Sequence, residues 1–170
     1  KKKKGLMRDA DDDESSIFLD TDDLHDLQKL LDAVHCSNTL VLLLSEHYFS
    51  SPWCLLEVWA AVSEEKAIVP IQMIGPESAP FDFKSAHTYG SDLRTAPNID
   101  QSCINLLERY GASVEEVQNA VQRSLEIIAR PFHTAASKAV RNAEISDIIN
   151  QIDTVGFDFD NEDSSNCLVM

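Results

Sequence analysis

Basic charge is what this chain has least of. Against 29 Asp and Glu it sets 14 Lys and Arg, a formal net charge of −15 over 170 residues. Holding a phosphate backbone requires a basic surface, so the average field argues against nucleic acid as a partner. Glycine is scarce too, with five residues scattered singly. That removes the P-loop and the dinucleotide fingerprint, both of which need clustered glycines to bring backbone N–H groups onto phosphates. Cys36, Cys54, Cys103 and Cys167 form no C-x-x-C pair and follow no signal peptide. A reduced, cytoplasmic setting is therefore expected rather than a disulfide framework. His25, His35, His47, His87 and His133 lack H-x-x-x-H spacing, so no metal site is expected and each reads as a surface or satisfied, partly buried imidazole. No apolar run approaches the roughly 18 residues of a spanning helix.

What remains is the composition of a soluble globular domain, 44% hydrophobic and 25% charged. Ile17–Leu19 reads as a short strand, and Leu27, Leu30, Leu31 and Val34 recur at helical spacing up to about Cys36. Thr39–Leu44 is an uninterrupted apolar run, too short for anything but a buried strand. A helix from Pro52 to about Glu65 and a strand over Ala67–Met73 follow, the latter with an interior proline that points to an edge or bulge. Strand, helix, strand, helix, strand at this spacing predicts parallel crossovers: an α/β, doubly wound, mostly parallel open sheet. Residues 75–99 read as loop. Ser113 with Glu116 predicts a capping box, followed by a stripe of Val114, Val117, Val121, Leu125 and Ile128. A last helix is expected over about 135–152, with Ala136, Ala139, Val140, Ala143 and Ile149 along one side. The chain thus divides into a charged, disordered segment (1–16), an α/β core (17–75), a loop and helical part packing on it (76–152) and an acidic tail (153–170).

The most informative stretch is Thr39–Trp59. Its strand gives way to a polar turn in which Ser51 is placed to cap a helix and Pro52 suits the first turn, where no N–H is needed. Trp53 and Glu57 then share a helix face at i and i+4. In sequence, Ser50-Ser51-Pro52-Trp53-Cys54-Leu55-Leu56-Glu57-Val58 resembles the W-C-x-x-E block of TIR (Toll/interleukin-1 receptor-like) domains. Ile17-Phe18-Leu19-Asp20 is similar to the family's second strand with its F-x-D ending, and Ile68-Val69-Pro70-Ile71 to its fourth. The resemblance implies a flavodoxin-like, three-layer fold with extra C-terminal helices. Residues 1–16 hold neither the strand nor the amphipathic helix with which that fold opens, so the first βα unit is expected to be absent.

Two functions follow from the resemblance. In the first, the chain is a signalling module acting through TIR–TIR self-association or partner binding. In the second it is an NAD+ glycohydrolase in which Glu57 is the catalytic carboxylate, stabilising the ribosyl cation left when nicotinamide departs. NAD+ is then a substrate, and no cofactor is expected. Trp53 reads as a packing anchor or as a substrate contact, and Asp20, Asp22 and Asp23 as a solvated N-cap cluster or as the loop closing over the nucleotide. Cys54 lies in a first helical turn, where the dipole lowers a thiol pKa, yet no His is placed to serve as its base. Finally, Cys167-Leu168-Val169-Met170 has the C-a-a-X form read for farnesylation, which would add peripheral membrane attachment through Cys167. One lipid chain beside the acidic run Asp158–Asp163 gives only marginal, reversible attachment.

Overall fold

A computed structural model describes residues 27–76 and 79–156. The strand expected at 17–19, the acidic residues Asp20, Asp22 and Asp23, the expected lack of a first βα unit and Cys167 all lie outside the described residues.

Helix α1 (Leu27–Cys36) leads through two residues into strand β1 (Thr39–Leu44), and a 3-10 turn (Tyr48–Ser50) leads into α2 (Pro52–Ser63). Strand β2 (Ala67–Ile74) is followed by α3 (Phe83–Ser91), α4 (Gln101–Arg109), α5 (Val114–Glu126), strand β3 (Arg130–His133) and α6 (Lys138–Gly156). The strands form a parallel sheet in the order β1-β2-β3. Each crossover carries at least one helix, as parallel pairing requires.

Strand alternation sends the two faces of β1 to different surroundings. Leu42 and Leu44 point into the main core with Leu55, Leu56 and Val58 of α2 and Val117 and Val121 of α5. Val41 and Leu43 stand opposite Val69 and Ile71 of β2. Those two are covered by Ile148 of α6, with Ile152 and Val155 packed beside it. Helices therefore lie on both faces of the sheet, giving the doubly wound, three-layer α/β arrangement that the sequence predicts.

Four local expectations change. Ser51 occupies the N-cap position of α2, but its side chain makes no capping bond; its backbone carbonyl starts the helix by accepting from Leu55 N–H at 3.1 Å. Pro70 is buried in β2, which is the middle strand among the described residues. The β3 ladder begins only at Ile71, so Pro70 stands just before two-sided pairing starts, which is how a proline fits so central a strand. Residues 75–99 include a helix, α3, whose N-cap Asp82 accepts from Lys84 N–H at 3.0 Å. The stripe of α5 stops at Glu126, and Ile128, expected within it, is exposed.

The largest departure is the face of α6. Val140 and Ile149, expected inside, are exposed, and so are Ala139 and Ala143. The helix turns Glu144, Ile148, Ile152 and Val155 inward instead. Alanine has little surface to bury, so Ala139 and Ala143 contribute little to orienting the helix. The capping box at Ser113 is as expected: Ser113 Oγ accepts from Glu116 N–H, and Ser113 N–H donates to the Glu116 carboxylate at 3.0 Å.

Candidate functional site

Beyond the carboxyl end of β1 the chain turns through Ser45–Ser50 into α2, placing the residues singled out in sequence at the sheet edge where α/β folds collect ligands. Phe49 fixes this turn. It is buried, its ring edge-on to Tyr48 and Phe81 at centroid distances of 5.2 and 5.8 Å. One turn into α2, Trp53 lies half-buried against the main core, as its reading as a packing anchor requires. Glu57 is half-buried on the same helix.

Tyr48, Cys54 and Glu57 are coupled. The Tyr48 phenol is held well above its ordinary range, first by burial and then by negative charge on Cys54 and Glu57. At neutral pH it therefore keeps its proton, with a carboxylate nearby. Cys103, deep in the core, is pushed up by burial and by Asp100, so its thiol is inert. Trp59 packs against the same core, and its indole N–H is buried without a partner among the described residues.

Cavities of about 400–450 Å³ open elsewhere. Neither Trp53 nor Glu57 lines any of these four. One of them, at the carboxyl ends of β2 and β3, is walled by Ile74, Gly75, Ala136 and Val140 and contains His133 and Glu144. Glu144 accepts from the backbone N–H of His133 at 2.9 Å and lies 2.6 Å from its Nδ1. His133 is thus a satisfied, partly buried imidazole, as expected. Its carboxylate partner eleven residues on was not visible in sequence, because no short-range spacing links β3 to the second turn of α6. No group of three or more His, Cys, Asp or Glu able to hold a metal occurs among the described residues.

Both bonds from His133 hold the Glu144 carboxyl below its ordinary value of 4.5. A depressed folded pKa means the contact contributes stability above the unfolded value and loses it as pH falls through the folded one. Wild type is accordingly expected to exceed Glu144→Gln in urea midpoint at neutral pH, and the gap closes on acidification below 4.5. Urea melts of both proteins across that range check it.

Outside these clusters, large apolar side chains are left in solvent on β1 and α6. Val41 is 37% and Leu43 52% exposed on β1, and Ile145 is 42% and Ile149 50% exposed on α6. Scattered exposed apolar residues need no explanation, whereas contiguous ones on a domain this acidic mark a contact surface.

No helix among the described residues is long and apolar enough to cross a membrane. No curated protein matches the chain. Residues 8–74 match the family model of the TIR domain. That span takes in α1, β1, α2 and β2 with Trp53, Cys54 and Glu57, and over it the chain is similar to TIR domains.

Proposed function

We propose that the chain is a signalling module that associates with other TIR domains, copies of itself included. The match of residues 8–74 to the family model supports TIR–TIR contact in general. The observation that carries the reading for this chain is the exposure of Val41 and Leu43 on β1 and of Ile145 and Ile149 on α6. Burying such side chains in a partner is favourable by about 25 cal/mol per Å² of apolar area. Sedimentation velocity on the full chain is expected to give a mass that rises with concentration above the 18.9 kDa of one copy. A mass fixed at one copy over the whole range refutes the association.

The second reading, NAD+ glycohydrolysis, is favoured by one observation: half-buried Glu57 lies on α2 just beyond the carboxyl end of β1, with the partly buried Tyr48 on the turn before it. The Glu57 carboxylate would stabilise the ribosyl cation electrostatically as the bond to nicotinamide breaks, with water completing hydrolysis. If the chain is an interaction module alone, nicotinamide release from NAD+ at high protein concentration equals background for wild type and for Glu57→Ala. Release that Glu57→Ala abolishes would establish the enzyme instead.

A further inference from the structure

The cavity at the carboxyl ends of β2 and β3 holds an oriented imidazole. Glu144 grips His133 twice: Oε2 accepts the backbone N–H at 2.9 Å, and Oε1 lies 2.6 Å from Nδ1. With one oxygen given to the backbone and the other to the ring, the imidazole cannot turn over without losing a bond. A carboxylate only accepts, and Glu144 is ionised at neutral pH, its carboxyl being held below 4.5. The proton between the two groups therefore sits on Nδ1. In the neutral ring that leaves Nε2 as a bare acceptor, and Nε2 makes no bond among the described residues.

The walls around this ring are apolar and fixed. Ile74 and Gly75 end β2, and Ala136 and Val140 stand at the entry to α6. The Thr134 N–H and hydroxyl both donate to the Ile74 carbonyl, at 2.9 and 3.3 Å. A Cβ on Gly75 would collide with that hydroxyl, so the close approach of the two strand ends depends on glycine. The Thr134 hydroxyl proton is thereby already placed and does not serve Nε2.

Charge narrows what the cavity accepts. Glu144 is the permanent charge among its lining residues, while Arg141 is turned to the Thr134 carbonyl at 3.4 Å and does not line it. An anion is repelled there, and a cation would shed its water against apolar walls. An uncharged molecule with one donor meets neither penalty. The volume, about 450 Å³, falls in the roughly 300–1,000 Å³ of small-molecule sites. The place is the sheet edge where parallel strands collect ligands.

We infer that this cavity is a ligand site separate from Trp53 and Glu57. It takes a small, uncharged molecule whose apolar body lies against Ile74 and Val140 and whose hydroxyl donates to His133 Nε2.

The test follows the His133 ring of the full chain by long-range 1H–15N NMR at mildly alkaline pH, with benzyl alcohol as the probe. Benzyl methyl ether, which lacks the donor, and benzoate, which carries charge, are the controls. Before any addition, Nδ1 is expected to be protonated and Nε2 bare. Benzyl alcohol should move Nε2 saturably, with a Kd on the order of 1 mM for so few atoms. The ether should bind about 3–10 times more weakly, the worth of one net hydrogen bond, and benzoate should leave the ring unmoved. Val140 is 46% exposed, so Val140→Trp fills the cavity from its rim without touching the His133–Glu144 pair. It should abolish the response to benzyl alcohol while the shifts of the unliganded ring stay as in wild type. A ring protonated on Nε2 overturns the site. So does a ring indifferent to benzyl alcohol, as when another segment of the chain fills the cavity. An ether that binds as well as the alcohol, or a Val140→Trp variant that responds like wild type, overturns it too. None of these results bears on the association or on Glu57.

Discussion

Phe49→Ala is expected to lower the unfolding free energy by about 3–5 kcal/mol, the range for truncating a fully buried phenylalanine. The ring is 2% exposed. It touches Tyr48 and Phe81 edge-on and Tyr89 at a centroid distance of 6.1 Å. Alanine there leaves a cavity that rigid neighbours cannot close: Phe81 is itself locked against Phe83 at 4.8 Å, and Tyr89 is tied by its hydroxyl, which donates to the Pro97 carbonyl at 2.8 Å. With domain stabilities of about 5–15 kcal/mol, such a loss takes away a large part of the whole. Phe49→Leu retains most of the volume and is expected to cost less than half as much. Urea denaturation of the three proteins decides it; a Phe49→Ala midpoint equal to wild type would mean the turn from β1 to α2 is not held from the core.

Gly90 gives the second large effect, and the size of the substituent sets it. The glycine is buried in α3 where that helix crosses α5. A Cβ there would come 2.7 Å from Gln122 Cγ, 3.3 Å from Gln122 backbone nitrogen and 3.5 Å from the Gln118 carbonyl oxygen. For alanine two terms oppose. The helix gains about 0.8–1.0 kcal/mol over glycine, while the exposed Gln122 side chain must swing aside. The net change is expected to lie near zero. Valine directs two further carbons at the backbone of α5, which cannot swing, and about 2–3 kcal/mol of stability is expected to be lost. Thermal or urea melts that rank Gly90→Val with Gly90→Ala would show that the two helices slide apart freely.

What was legible in the sequence follows from how strongly each element is specified locally. Six apolar residues in a row make β1 unmistakable, and the i, i+4 relation of Trp53 and Glu57 survives in the structure because α2 is regular through both. Strand β3 was not legible. Arg-Pro-Phe-His is four residues long, begins with a charge and a proline, and is exposed over its first half; only its pairing with β2 makes it a strand. Helix α3 was hidden in the same way, since Phe83–Ser91 is largely polar and holds a glycine where it crosses α5. The coupling of Tyr48 to Glu57 was beyond reading too, because it depends on how a 3-10 turn folds back over the helix it precedes.

For α6 the error is instructive. A stripe of Ala139, Val140, Ala143 and Ile149 is a fair helical pattern. The competing line through Glu144 is interrupted by a charge, and that charge is drawn inward by the two His133 donors. A polar contact eleven residues away thus helps to set the rotation of a helix, and with it which isoleucines are left in solvent.

The way α6 is fastened divides the molecule energetically. The main core draws its buried side chains from Leu30 through Val121. The last helix holds the sheet through a satellite of three buried side chains, Val69, Ile71 and Ile148, flanked by Met73, Phe132, Ile152 and Val155. With so little apolar surface beneath it, α6 is expected to open as a unit before the rest of the domain melts, and acid to loosen it further by weakening the Glu144 contact. Amide hydrogen exchange is then expected to show two tiers of cooperativity, a robust body and a detachable cover.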